Sequence, residues 1–445
     1  MSTNSYRVFF IALFAIVNSV IPISQSNAIG SGACTSTVGS DSGVVVANSG
    51  GFCYVAFTAT GSNSWTAPSG VTSVDLLIIA GGGAGGSGAW GGGGGAGELV
   101  FYSGYTVSSS SAKNISVGRG GVSGTADLNP ANNRSETGTV SWVGSATDVV
   151  ASGGGFGASY GYGSGAVYTT GGNGGSGGGA NEQNPISPGG ASTKSSGGSR
   201  TGYGNIGGFS SPFVSGGGGG GSGTAGSNAA SSTGGNGGDG TNLFATWLTA
   251  INSGMSGITG WQTATSTGYI AAGGGGGASN TRGNGGAGGG GNGIISATSG
   301  NGESGVANTG SGGGGTGYHG GAAQKGGNGG SGLIIIKYTQ VLAVVNSFNL
   351  TGNATTATYR TAATININVS TPAKITFRAK GVVIAGCKNK TASGSGSSYT
   401  ATCSWRPSVR GQVNLTASIV PTGPWANLTS TPLSIRVINR SGTRA

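Results

Sequence analysis

Ionisable side chains are nearly missing from this sequence: 7% of its residues are charged, against roughly a quarter in an ordinary soluble domain. That leaves little material for acid–base catalysis, which needs groups positioned in pairs. The acids stand singly between Asp41 and Glu303, and the one histidine, His319 in TGYHGG, has no evident Ser or Cys partner. An enzyme is not expected. No CxxC pair occurs, which together with the single histidine argues against a zinc or dithiol site. Matches to GxGxxG abound, but none sits in a βαβ unit and none is followed by GK[ST], so a nucleotide site is not expected. GGNGGDGTN at 234–242 approaches a calcium-binding nonapeptide, yet the sister stretches replace Asp239 by Ser or Ala. No cofactor or metal is assigned.

Proline is scarce where glycine is dense. The chain holds 103 Gly, and between residues 81 and 340 about one residue in three is glycine. Collagen has that fraction but needs a strict Gly-X-Y period and abundant proline. Here the period is broken throughout and only Pro130, Pro185, Pro188 and Pro212 fall in the span, which excludes a triple helix. Acid is missing altogether from residues 341–445, so the net charge of +11 sits there, while the two signs cancel before it. Two units with different surface chemistry are implied.

Long apolar runs are absent except at the start. Arg7 precedes VFFIALFAIVNSVIPI, and Ser26-Asn27-Ala28 offers the small residues that a signal peptidase reads. An uncleaved anchor is the alternative, disfavoured by Asn18, Ser19 and the shortness of the run. Residues 1–28 are therefore expected to be a signal peptide. The mature chain, with no transmembrane segment, is expected to be secreted or held at the cell surface. In an oxidising compartment the simplest cysteine pairing joins sequence neighbours, Cys34 with Cys53 and Cys387 with Cys403. Loops of about 15 to 20 residues closed this way are worth roughly 3 kcal/mol each in the chain-entropy model.

Between the glycine tracts the pattern is that of strands. VVVANSGGFCYVAF, residues 44–57, reads as a hairpin turning at Asn48–Gly51. SVDLLIIA reads as a strand buried on both faces. GELVFYSGYTVSSSSAKNISVG and GTVSWVGSATDVVAS each hold two more, and GLIIIKYT closes the segment at Thr339. One stretch breaks the rule. In GTNLFATWLTAINSG, Leu243, Phe244, Trp247, Leu248 and Ile251 recur at helical spacing, with Thr241 and Asn242 placed to cap and Gly254 to terminate. A short helix packed on the domain's own sheet is expected. GGNGG-type motifs recur around Asn173, Asn236, Asn284 and Asn328 without a uniform period, which argues against a solenoid.

The tract AGGGAGGSGAWGGGGGAG, residues 80–97, poses the main question. A polar glycine chain ordinarily stays a flexible spacer, since ordering each residue costs about 1–2 kcal/mol of backbone entropy. The ordered alternative is a bundle of polyglycine helices with three residues per turn, the polyproline II geometry without proline. Such helices have no internal hydrogen bonds and must satisfy one another. Fixing both ends of each tract in a sandwich lowers the cost of ordering it.

SWTAPSGVTSVDLLIIAGGGAGG, GGGGGAGELVFYSGYTV, NISVGRGG, GYIAAGGGGGA and GGNGGSGLIIIKYT resemble, in that order, the glycine-rich domain of bacterial surface and exported proteins and of phage tail proteins. The resemblance covers roughly residues 52–339. It extends to the glycine-rich domain of anaplastic lymphoma kinase ectodomains and to phage tail-tip adhesins. It implies an all-β fold for residues 29–339: a jelly-roll or TNF-like β-sandwich from which packed polyglycine II helices emerge, with a role in adhesion or ligand recognition. The stretches 185–211 and 242–252 depart from the family pattern.

Residues 340–445 alternate apolar and polar positions in short runs separated by turns, as in an immunoglobulin-like β-sandwich. GCKN followed by CSWRPSVRG resembles the immunoglobulin-like repeats of actinobacterial exported proteins. The cysteines here are too close in sequence for the usual inter-sheet pairing, so a link between neighbouring strands is expected. Lys388, Lys390, Arg406 and Arg410 flank them as the candidate polyanion-binding cluster; teichoic or other acidic wall polymers, anionic headgroups and nucleic acid all fit such a charge. A merely basic surface is the plain alternative, and with no nucleic-acid motif DNA is not the expected partner. The expected function is an envelope-associated adhesion or ligand-binding protein, binding envelope polyanions or glycans. The alternatives are a structural component of a surface layer and a flat ice- or polysaccharide-binding array.

Overall fold

The computed structural model describes residues 27–439 apart from 32–33, 69, 127–133, 161–168, 182–185, 213, 319–323, 341–342 and 423–426. Of the expected signal peptide, residues 1–28, all but Asn27 and Ala28 lie outside the described residues, as does His319; those two begin the strand Asn27–Ser31. The fold is all-β. Two sheets form the first sandwich. One has six strands, Asn27–Ser31, Cys34–Val38, Gly61–Thr66, Lys113–Val117, Ser141–Gly144 and Val149–Ala151, in that spatial order. The other has seven, with Ser73–Ile79 and Leu333–Thr339 paired antiparallel at its centre.

Alternation of side chains explains why these central strands are apolar at almost every position. Leu76, Ile78, Ile334 and Ile336 point into the inter-sheet core with Trp65 and Phe57. Leu77, Ile79 and Ile335 point the other way, where Trp247, Leu248, Ile251 and Trp261 cover them. Each such fully buried side chain contributes about 1.5–3 kcal/mol. The hairpin Val44–Ser49 and Phe52–Phe57 turns on Gly50 and Gly51, both at positive φ, 58° and 78°, as a two-residue loop between twisted strands requires. Cys34 and Cys53 are joined, linking the two sheets.

The covering helix runs Ala245–Ile251 and continues as a 3-10 turn, Asn252–Met255. Two details differ from the sequence reading. Neither Thr241 nor Asn242 caps it: the cap position is Phe244, without a side-chain cap bond. Gly254 does not terminate it but lies inside the 3-10 turn, where an added Cβ would stand 2.2 Å from Val45 Cγ1. Close approach to the sheet, not chain termination, is why glycine stands there.

The glycine tracts leave the end of this sandwich as extended rods that bond to one another. The hydrogen bonds along residues 91–98 have a period of three. The N–H groups of Gly91, Gly94 and Gly97 donate to Thr316, Gly313 and Gly310; those of Gly92, Gly95 and Glu98 to Ala158, Gly155 and Ser152; those of Gly93 and Ala96 to Gly217 and Gly220. The carbonyls of the same rod accept with the same period. Those of Gly92, Gly95 and Glu98 accept from Gly86, Gly83 and Ala80, those of Gly93 and Ala96 from Gly179 and Ser176, and those of Gly91 and Gly94 from Gly277 and Gly274. A three-residue repeat turns successive peptide groups through a third of a circle, so this rod meets six neighbours, three as donor and three as acceptor.

That arrangement demands glycine. A Cβ on Gly92, Gly93 or Gly94 would lie 2.1, 2.0 or 2.1 Å from the carbonyl oxygen of Gly179, Gly274 or Gly83. At the rim the same bonding continues with side chains. The Oδ1 atoms of Asn173, Asn236 and Asn328 accept from the N–H groups of Ala191, Asn284 and Ser123 at 2.8, 2.8 and 2.9 Å. Asp239 Oδ1 accepts from Ala287 N–H at 2.8 Å in the same manner. Three of the four recurring asparagines thus serve as rim devices, and Asp239 acts in the same way.

Strands after residue 344 form two further sheets that share none with the first pair among the described residues. One is Val345–Leu350, Ala363–Val369, Ser398–Trp405 and Ser393–Ser395; the other centres on Ala373–Ala379, Gly411–Pro421 and Leu433–Ile438. Ile365, Ile367, Phe377, Leu415 and Ile419 lie fully buried between them. Cys387 and Cys403 are bonded, but not between neighbouring strands. Cys403 lies on Ser398–Trp405, whereas the Cys387 carbonyl accepts from Phe377 N–H of the opposite sheet. The sixteen-residue separation is enough to cross the sandwich because Cys387 sits on a short edge segment. Among the described residues no helix is long and apolar enough to cross a membrane.

Candidate functional site

The four basic residues singled out from the sequence are all exposed and lie on two segments that the Cys387–Cys403 bond ties together. Lys388 and Lys390 lie on the edge segment that runs antiparallel to Ala373–Ala379, with Lys390 opposite Ile375. Arg406 and Arg410 lie beyond the end of Ser398–Trp405, in the loop leading to Gly411–Pro421. Arg406 lines a cleft of about 330 Å³ whose walls include Val382, Ile384 and Trp405.

Arg410 instead meets a residue that the sequence reading passed over. Its guanidinium carbon is 4.7 Å from the centroid of the Tyr359 ring, and that of Arg360 is 5.3 Å from the same centroid. The two cations are thus no more than about 10 Å apart, close to one Debye length at about 0.1 M salt. Backbone geometry holds them there: Arg360 stands at φ 59°, and its N–H donates to Pro407 O at 3.0 Å. Residues 341–445 hold no Asp or Glu that could pair with either. Two guanidiniums, each with forked N–H donors suited to anions, are thus gathered at one aromatic ring. The sequence carried one signal for it, the adjacent Tyr359-Arg360, but the contact with Arg410 spans strands that only the fold brings together.

In the bundle, two rods are joined at Ala89–Trp90. Trp90 takes φ 44° there, and its ring lies 5.3 Å from that of Tyr318 and 6.3 Å from that of Tyr160. Asn181 Nδ2 donates to Ala89 O and Trp90 O at 2.8 and 3.0 Å. Trp90 Nε1, Asn181 Oδ1 and Gln324 Oε1 are buried without a hydrogen-bond partner. Residues 80–97 are therefore two antiparallel rods and a built turn. A model of the glycine-rich domain matches residues 58–339.

The chain belongs to the glycine-rich domain family. The match begins within a few residues of the stretch marked by SWTAPSGVTSV and ends on the closing strand. The glycine-rich domain here also absorbs the departure at 185–211: within it, residues 196–203 add a hairpin to the edge of the seven-stranded sheet, and Gly190 and Gly207 bond as further rods. The second departure, at 242–252, is the helix that covers that sheet. No curated protein matches the chain.

Among the described residues no group of three His, Cys, Asp or Glu side chains could hold a metal ion. Four titrating groups among the described residues are displaced by their surroundings; burial raises Tyr54 and Tyr338. Burial, and then the hydrogen bond from its hydroxyl to Asp148 at 2.7 Å, raise the pKa of Tyr105 above the ordinary phenol value. The hydrogen bond from Arg119 holds Glu136 below the usual carboxylate value.

Proposed function

We propose that this is an exported envelope protein with an adhesion or ligand-binding role, in which the glycine-rich domain is a rigid recognition surface and the basic sandwich attaches it to anionic envelope polymers. The observation that carries the reading is the Arg360–Tyr359–Arg410 arrangement within a unit that has no acid. Two disulfides are compatible with an oxidising, extracellular setting, and the leader-like start of the sequence points the same way. We read the three-residue repeat as polyglycine II packing and the second sandwich as immunoglobulin-like. A bundle whose internal peptide groups bond to each other keeps a fixed shape, which suits a surface that presents side chains to a partner.

The test is elution of the full chain from an immobilised glycerol-phosphate polymer over a salt gradient. Attachment by charge predicts elution at moderate ionic strength, with Arg360→Gln/Arg410→Gln eluting clearly earlier. Equal elution of the variant, or no retention of the wild-type chain, would reject the assigned attachment site.

A further inference from the structure

The flank of the bundle carries a second kind of site. The short rod at 290–295 lies between two longer neighbours: Gly293 N–H donates to Gly283 O at 3.0 Å, and Glu303 N–H to Asn292 O at 2.9 Å. Gly293, Ile294 and Ile295 of this rod line a cleft of about 540 Å³, within the size range of small-molecule sites. The half-buried Ile294 and Ile295 contribute apolar lining. Arg282 and Glu303, from the two flanking rods, are 3.5 Å apart and both line it, and Asn280, Thr298 and Asn301 add polar groups.

The chemistry of this cleft differs from that of the basic sandwich. Its cation and anion neutralise each other, so it offers no net attraction to a phosphate or other polyanion. Both have hydrogen-bonding capacity left. Glu303 accepts from Arg282 and from Asn292 Nδ2, the latter at 2.7 Å, which leaves lone pairs on both oxygens, and the Arg282 fork has further N–H donors. A vicinal pair of hydroxyls donates to such a carboxylate and accepts from such a guanidinium, while the C–H face of a sugar ring rests on aliphatic side chains. An ion pair in a cleft recurs on the same bundle: a cleft of about 410 Å³ holds the Arg119–Glu136 pair, 2.9 Å apart, beside Phe156, Thr137 and Thr139, though with Arg134 as an additional cation. Both ion pairs found among the described residues line a cleft of the bundle flank. In a chain with so few charged groups, that placement is a pattern.

We propose that the Arg282–Glu303 cleft binds a neutral oligosaccharide through paired hydroxyls. The proposal rests on the recognition role given above to the glycine-rich domain and names its ligand class. Calorimetric titration of the full chain with maltotetraose, cellotetraose, mannotetraose and chitotetraose tests it. At least one is expected to bind saturably. Glu303→Gln, which alters a half-exposed side chain, is expected to weaken it about tenfold. Thr298→Trp, which fills the cleft from an exposed position, is expected to abolish it, with the melting transition of both variants unchanged. Binding that survives both substitutions would place the saccharide elsewhere and overturn the cleft while leaving the recognition role standing. No binding of any of the four would overturn the proposal; envelope attachment is read separately, by the salt elution.

Discussion

Adding one methyl group at the centre of the bundle should be among the most damaging changes available to this protein. In Gly94→Ala the new Cβ would start 2.1 Å from Gly83 O, so the neighbouring rod must withdraw by more than about 1 Å to reach ordinary contact. Gly94 N–H bonds to Gly313 O at 2.8 Å, its carbonyl accepts from Gly274 N–H at 2.9 Å, and Gly83 N–H bonds to Gly95 O at 2.8 Å. A shift of that size breaks two or three of these in a place water does not reach. Each buried peptide group left unpaired costs about 1–3 kcal/mol, giving a loss of about 3–6 kcal/mol. Reduced freedom of the unfolded chain returns only about 0.4–1 kcal/mol. Thermal and denaturant melts should therefore show a transition lowered by about 10 °C. Gly257→Ala is the control, because nothing lies within 4 Å of a Cβ there; it should be neutral or slightly stabilising. Equal melts for the two variants would refute the packing argument.

Two further outcomes follow from buried groups. Glu98 is fully buried, and its carboxylate accepts from Ser152 N–H at 2.8 Å, Ser195 N–H at 2.5 Å and Ser195 Oγ at 2.7 Å; Glu98→Ala strands two peptide N–H groups, and denaturant melts should show a loss of about 3–5 kcal/mol. Burial raises Tyr338, and burial with the Asp148 hydrogen bond raises Tyr105. The fold prefers both phenols protonated, so their contribution is intact below the ordinary tyrosine value of 10.0 and declines as pH rises beyond it; melts across this range should show the fall, and Tyr105→Phe should flatten it.

Strand positions were legible because apolar alternation reports burial directly. The unbroken run in SVDLLIIA announced a strand covered on both faces, and the fold supplies one cover from the opposite sheet and the other from Trp247, Leu248 and Ile251. The end of the helix was not legible, since Gly254 fits both a terminator and a point of contact with Val45, and only the packing distinguishes them. The rods were legible only in part. Glycine content permits such packing but does not specify which tract bonds to which, because the partners of residues 91–98 range from Ala80 to Thr316. For the same reason the exposed asparagines of the GGNGG motifs gave no hint that they serve the neighbouring rod. The candidate basic cluster was read from proximity in sequence. The fold adds to it a contact that proximity in sequence does not carry, Arg410 and Arg360 both against the Tyr359 ring. Charge composition located the unit; it could not locate the contact.

Residue-resolved amide hydrogen exchange of the native full chain tests the central claim most directly, that the glycine tracts are hydrogen-bonded rods. Gly83, Gly85, Gly92, Gly94 and Gly95, each donating to a neighbouring rod at 2.8 to 3.0 Å, should exchange orders of magnitude more slowly than an unstructured glycine peptide, with protection comparable to that of the strand Ser73–Ile79. Exchange of those five amides at the free-peptide rate, with the strand still protected, would mean that the tract is a spacer.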